Sequence, residues 1–303
     1  MINIAGGFLL TSGLIVNLMG LILFRRLSIR SVTARYLFNA QYLFDAAACM
    51  VIIFYLVSYN LEIERKQFVY TVFCSIWLTH YVFWFVNCLS SINVILLTFD
   101  RYWAVVRATS YPRNPKCYIF VLAGVTWTCT IVLTGPILRN NMCFPAKINE
   151  TIQPFKISPI LMVAAFTFGY LFPSVLLCWL QFRTLCAIRR LKQNSTLMRI
   201  GGNRTCPNSN TFAISVTAVI MTAAYLFGRA SIQVIILIRS FGISLGVIEG
   251  DWERVHFITY GMNYLIEPLA LSLSLPGMRA LIVRLFKSFI TPFRTESNTL
   301  EAV

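Results

Sequence analysis

Three acids and two bases stand inside or at the edge of long apolar stretches: Asp45, Asp100 and Glu267, with Arg101 and Arg229. At the centre of a spanning helix such a charge costs about 2.5–3.5 kcal/mol, so each needs a partner, a proton or a counter-ion. Arg229 should therefore face the interior of a helix bundle. Its partner is either internal, a backbone carbonyl or one of the acids Glu253 and Asp251, or it is the carboxylate of a ligand. Enzyme chemistry is not indicated, because no nucleophile, base and orienting group fall together in any loop. The two histidines, His80 and His256, are too few and too far apart for a metal centre.

The elements that must position these groups are membrane helices. Of the 303 residues only 12% are charged and 57% are hydrophobic, with a mean hydropathy of +0.70. A soluble domain carries about 25% charged residues, so this chain has too little polar surface to cover a water-facing globule. Seven runs reach the roughly 20 apolar residues that cross a hydrocarbon core. They are Ile4–Phe24, Leu37–Tyr59, Val69–Leu97, Cys117–Leu138, Ile157–Leu180, Phe212–Ile238 and His256–Leu275. Each is too long and continuous for a barrel strand, so the expected fold is an all-α bundle of seven transmembrane helices. No internal repeat and no soluble domain interrupt it. The first run lacks a basic leader and a small-residue cleavage site and leads into Arg25-Arg26, which reads as a retained helix rather than a signal peptide.

Charge gives the orientation. The formal +15 would suggest nucleic acid in a soluble protein, yet eighteen of the 26 bases cluster in four segments: Arg25 to Arg35, Arg101 to Lys116, Arg183 to Arg204 and Arg279 to Arg294. The acids on that side are Asp100, Glu296 and Glu301, so these segments are cytoplasmic and no nucleic-acid partner is expected. The amino terminus then lies outside a multi-pass protein of the plasma membrane. Asn149-Glu150-Thr151 becomes a usable glycosylation sequon, whereas Asn194 and Asn203 fall on the cytoplasmic side. Of nine cysteines only Cys74 and Cys143 reach the oxidising side, where they form a disulfide or remain two free thiols; the bridge is favoured.

Seven helices with Asp100-Arg101-Tyr102 at the inner end of the third, Trp127 in the fourth and the Cys74/Cys143 pair resemble a rhodopsin-type (class A) G-protein-coupled receptor. The resemblance extends to Asn17, to Leu43-Phe44-Asp45, to Ser90, to Pro173 and to Asn263 with Glu267-Pro268. Gly277–Phe289 is similar to the eighth helix of that family, with Leu281, Ile282, Leu285, Phe286 and Phe289 available for an apolar face. On this reading residues 1–290 form the receptor domain and residues 291–303 a short cytoplasmic tail. The departures mark a divergent, orphan-type branch. Helix six has Ala224-Tyr225-Leu226-Phe227 and no proline, so the usual kink is missing. Helix seven has Glu267-Pro268-Leu269-Ala270-Leu271 and helix five has Gln181, so the inner switch tyrosines are absent. Cys74 stands two residues further from the Asp-Arg-Tyr triplet than is usual, which leaves room for an irregular outer turn of helix three.

The resemblance implies a cell-surface receptor that binds an extracellular ligand, a peptide favoured, and activates a heterotrimeric G protein through Asp100, Arg101 and Tyr102. The competing reading, a small transporter or channel, is disfavoured by the odd helix count and the absence of repeats. Phe83 stands where amine receptors place an aspartate and Gly261 where opsins place the retinal lysine, so neither amine nor retinal binding is implied. The outer pocket would be lined by His80, Tyr81, Trp84 and Asn87, by Arg229 and Gln233, and by Tyr260 and Tyr264. The family alignment also brings Asp45 and Glu267 together with Ser90 and Asn263 near the midplane. Two carboxylates that close share a proton, bind a cation such as sodium, or rest as a neutral hydrogen-bonded cluster. No other cofactor is expected.

Overall fold

The computed structural model describes residues 2–27, 29, 31–58, 76–77, 81–140, 163, 166–200, 209–241, 252–275 and 277–284. Seven long helices lie among them: α1 Ile2–Arg25, α2 Val32–Ser58, α3 Tyr81–Val106, α4 Pro115–Asn140, α5 Phe172–Ile200, α6 Ser209–Ser240 and α7 Trp252–Ser274. A short α8, Gly277–Arg284, turns away from α7 by 96°. It carries Met278, Leu281 and Ile282 into contact with the inner apolar cluster.

The helices follow the apolar runs, and each extends past its run at one end or both. Apolar spans cover Gly6–Arg25, Val32–Val57, Tyr81–Val106, Pro115–Pro136 and Thr167–Arg190, with further apolar helix at Ser215–Ala230 and Thr259–Leu273. The triplet at Asp100 is thus inside α3, not beyond its end. The segment from Arg183 to Arg204, beyond the apolar run that ends at Leu180, is helical as far as Ile200. Arginine, lysine, leucine and glutamine are all strong helix formers, so a polar turn continues a helix into water where hydropathy alone would end it. The starts of α2 and α4 are capped: Ser31 Oγ accepts from the Ala34 amide at 3.2 Å. Asn114 Oδ1 accepts from the Lys116 and Cys117 amides at 3.1 and 3.4 Å, with Pro115 at the first helical position. Towards the outer end of helix three, Ile76 and Trp77 lie in a π-type turn.

Each helix shows lipid one face and the bundle another. On α1, Phe8, Ile15, Leu18, Met19 and Ile22 are exposed while Leu10, Asn17 and Phe24, seven apart, are buried. On α5, Phe172, Val175, Trp179 and Phe182 face outward, and Leu177, Gln181 and Thr184 inward. Along the buried face of α4, Thr126, Thr130 and Thr134 each donate to the carbonyl four residues back, so their hydroxyls need no outside partner. The bundle is centred on α3, which packs against α2, α4, α5 and α6, while α1 packs on α2 and α7.

Prolines are handled individually. Pro268 cannot donate to the Tyr264 carbonyl, and Asn17 Nδ2 takes over that acceptor at 2.8 Å, so α1 repairs the break in α7. Before Pro173, the turn Thr167–Leu171 widens to a π-helix, which relieves the clash of the ring with the preceding turn. As expected from its lack of proline, α6 runs as one helix of 32 residues.

Two larger apolar clusters stack along the bundle, beside a small one of Val94, Leu177 and Tyr225. The inner one contains Phe24, Leu37, Phe38, Tyr42, Leu97 and Leu271; the outer one contains Leu10, Cys49, Ile52, Phe83, Tyr260 and Tyr264. Polar residues occupy the positions between them on α2, α3 and α7. Close approach of α1 and α2 depends on Gly20, where an added Cβ would fall on the Tyr42 ring. That ring cannot simply retreat, being buried against Phe24 and held through its hydroxyl 3.2 Å from Ser272 Oγ. Gly20→Ala should therefore destabilise the protein by roughly 1–3 kcal/mol. Thermal unfolding of the purified variant checks this, and an unchanged midpoint would show that Tyr42 has room to move.

Candidate functional site

At the C-terminal end of α3, Asp100 and Arg101 are both buried and their side chains are paired with each other. Tyr111, in the segment between α3 and α4, donates to Asp100 Oδ1 at 2.7 Å. Burial first, then the adjacent Asp100 charge, raises the Tyr111 phenol above its ordinary value, so it remains a donor across physiological pH. Ser31, at the start of α2, lies 3.5 Å from Arg101 Nη2. Tyr102 is half-buried and its ring lies 5.7 Å from that of Trp179 on α5.

Between the apolar clusters, Asp45 accepts from Ser90 Oγ at 2.7 Å. The link from Asp45 to Glu267 is made by Gln41, whose amide contacts Asp45, Ser90 and Glu267. Gln41 sits one helical turn before Asp45 on the same face, a spacing legible in the sequence. Its own oxygen accepts from Asn93 Nδ2 at 2.8 Å. Asn263 does not join, contrary to the expectation: no hydrogen bond links it to Asp45, Ser90 or Glu267, and its Nδ2 has no partner among the described residues. It packs instead against α6 at Gly228, where any Cβ would collide with its side chain.

Further out, Arg229 is buried and faces the interior. Its Nη1 donates to Ser91 Oγ at 2.6 Å, and Ser91 in turn donates to the Asn87 carbonyl at 2.6 Å. The guanidinium lies 4.8 Å from the Tyr225 ring centroid and 5.6 Å from that of Tyr260, within cation–π range. Among the described residues Nε and Nη2 have no hydrogen-bond partner and no carboxylate forms an ion pair with Arg229. Tyr264 donates to Asn87 Oδ1 at 2.7 Å, and Trp84 meets Tyr260 edge-on at 6.4 Å. Tyr81 and Gln233 are half-buried on the same side of the bundle. The structure thus gathers Trp84, Asn87, Arg229, Tyr260 and Tyr264, and adds Ser91 and Tyr225, which sequence reasoning left out. His80, Cys74, Cys143 and Asn149 lie outside the described residues, as do the side chains of Asp251 and Glu253.

A fourth polar node lies inside α5. Gln181 donates to Thr222 Oγ1 at 2.9 Å and to the Ala218 carbonyl at 3.1 Å on α6, and approaches Thr98 Oγ1 on α3 at 3.4 Å. Thr98 and Thr222 are themselves 3.1 Å apart. The residue that departs from the family pattern in helix five therefore ties three helices together. Its polarity inside an apolar run was the available signal.

The description "7 transmembrane receptor (rhodopsin family)" matches residues 17–268. No individual curated protein matches the chain. Among solved structures, the crystal structure of squid rhodopsin is similar with a TM-score of 0.69, covering 96% of this chain and 85% of that one at 15% identity. At that identity the likeness is one of fold.

The Gln181 node can be measured directly. A double-mutant cycle of Gln181→Leu and Thr222→Val should give a coupling of about 0.6 kcal/mol, the average for hydrogen bonds between membrane helices. Thermal unfolding of the four proteins checks it, and additivity would mean the contact contributes nothing net.

Proposed function

The chain belongs to the rhodopsin family of seven-transmembrane receptors, and from that membership we propose that it is a plasma-membrane receptor which binds an extracellular ligand and activates a heterotrimeric G protein. The observation that carries the cytoplasmic half is the pairing of Arg101 with its own neighbour Asp100. Neither α6 nor the segment from Arg183 to Arg204 contains an acid, so no clamp from Arg101 to α6 is available. Release of the arginine towards a G protein then requires only that the local pair open. Asp100→Asn removes the carboxylate charge and should raise basal nucleotide exchange on purified G protein by at least ~3-fold. Unchanged or lower exchange at equal receptor concentration would sink this account of the switch.

The outer half supports a ligand with an anionic group, a peptide being favoured. Arg229 has donors to spare, a dry aromatic surround and no carboxylate partner among the described residues. A ligand carboxylate would supply the missing acceptors and neutralise the charge. Cys74–Cys143 and a glycan at Asn149 belong to the same extracellular face in this reading, and Gly261 leaves retinal no lysine. A peptide screen with a promiscuous G-protein readout tests it, each peptide offered as free acid and as amide. Arg229→Gln should weaken free acids by roughly 10–100-fold and leave amides unaffected at matched surface expression. Equal losses for both forms would show that Arg229 serves structure only.

A further inference from the structure

Gln41 occupies the point on which Asp45, Ser90 and Glu267 converge. Its Nε2 lies 3.0 and 3.1 Å from the two Asp45 carboxylate oxygens, 2.8 Å from Ser90 Oγ and 3.4 Å from Glu267 Oε2. Four oxygens around one nitrogen form the kind of centre that a hard cation would seek. The amide is already there, and it is 99% buried, since Gln41 is 1% exposed.

Its orientation is fixed by a group that cannot turn. The Leu37 carbonyl accepts from Asn93 Nδ2 at 2.9 Å, and the same Nδ2 donates to Gln41 Oε1 at 2.8 Å. Turning Gln41 over would set two NH2 groups face to face and point its oxygen at the carboxylates. Turning Asn93 as well would set its oxygen against the Leu37 carbonyl. A backbone acceptor on α2 thus dictates, through Asn93 on α3, that a donor faces the acids.

A cation entering this centre would have to shed water and displace Nε2 from three side chains, leaving a buried amide without acceptors. The oxygens that suggested sodium in the sequence are therefore occupied by Nε2 from within, and of the four carboxylate oxygens only Glu267 Oε1 lacks a partner among the described residues. We infer that the Gln41 amide stands permanently in the place of a cation, so that sodium is excluded from the core and α2, α3 and α7 are joined by hydrogen bonds independent of the ions in the medium. This goes beyond the receptor reading and holds whatever the ligand is.

The test uses the full-length purified protein and sodium itself. Thermal unfolding is followed in sodium chloride and in N-methyl-D-glucamine chloride at equal ionic strength, for the parent and for Gln41→Leu. The parent should melt at the same temperature in both salts. Gln41→Leu should acquire a saturable rise of roughly 2–4 °C in sodium, which Asp45→Asn in the same background removes. Gln41→Met serves if the leucine variant fails to fold. Saturable, sodium-specific stabilisation of the parent that Asp45→Asn abolishes would overturn the inference. So would folded Gln41→Leu or Gln41→Met protein that ignores sodium, because the amide would then not be what keeps the ion out.

Discussion

In hydrocarbon no water is at hand to satisfy a polar group, so every donor, acceptor and charge must find its partner inside the bundle. The central layer of this protein is organised by that requirement, which it meets for most of its groups and leaves open at Asn263 Nδ2, Glu267 Oε1 and two Arg229 nitrogens among the described residues. Asn17 is buried on α1 because Pro268 exposes a carbonyl on α7. Gln41 and Asn93 are buried because the acids of α2 and α7 and the Leu37 carbonyl need donors. Each apolar cluster seals one side of this layer, and neither would pack as it does if the polar groups between were replaced singly, since one orphan would remain.

Charge balance follows the same rule. Asp45 and Glu267 carry two potential negative charges, Arg229 one positive charge, and Gln41 contributes dipoles but no charge. A proton retained by the acid pair lowers its charge without a metal ion and leaves the Arg229 charge to be met elsewhere. Arg229 also uses aromatic faces in place of an acid: Tyr225 and Tyr260 supply a diffuse negative surface without a carboxylate. Ser91 then holds one nitrogen and fixes the direction of the fork.

Much of this was legible in the sequence, and the boundary is physical. Seven apolar runs give seven helices because hydrocarbon permits few other solutions, and the inward direction of Arg229 follows from the cost of its charge alone. The convergence of Asp45 with Glu267 came only from the family alignment, since their separation along the chain says nothing of distance. What stayed hidden were choices among partners. Gln41 lies one turn from Asp45, yet whether its amide points at the acids or away depends on Asn93 and a backbone carbonyl on another helix. Asn263 aligns with the polar cluster but is drawn to Gly228, whose missing side chain makes room for it. The reach of α5 to Ile200 was missed because hydropathy measures fit to lipid, not the capacity to be helical.

The contact between Gly228 and Asn263 has a mechanical side. α6 is an unbroken rod from Ser209 to Ser240, and at Gly228 its backbone bears directly on α7. Such a point acts as a fulcrum: with no kink to absorb motion, a push on one arm appears at the other reversed in direction. The arm that ends at Ser209, at 1.5 Å per residue, is about 28 Å long, so a tilt of roughly 5° swings its tip by about 2.5 Å. Arg229 adjoins the pivot on the short side of the balance, where small displacements have the greatest leverage on the far end.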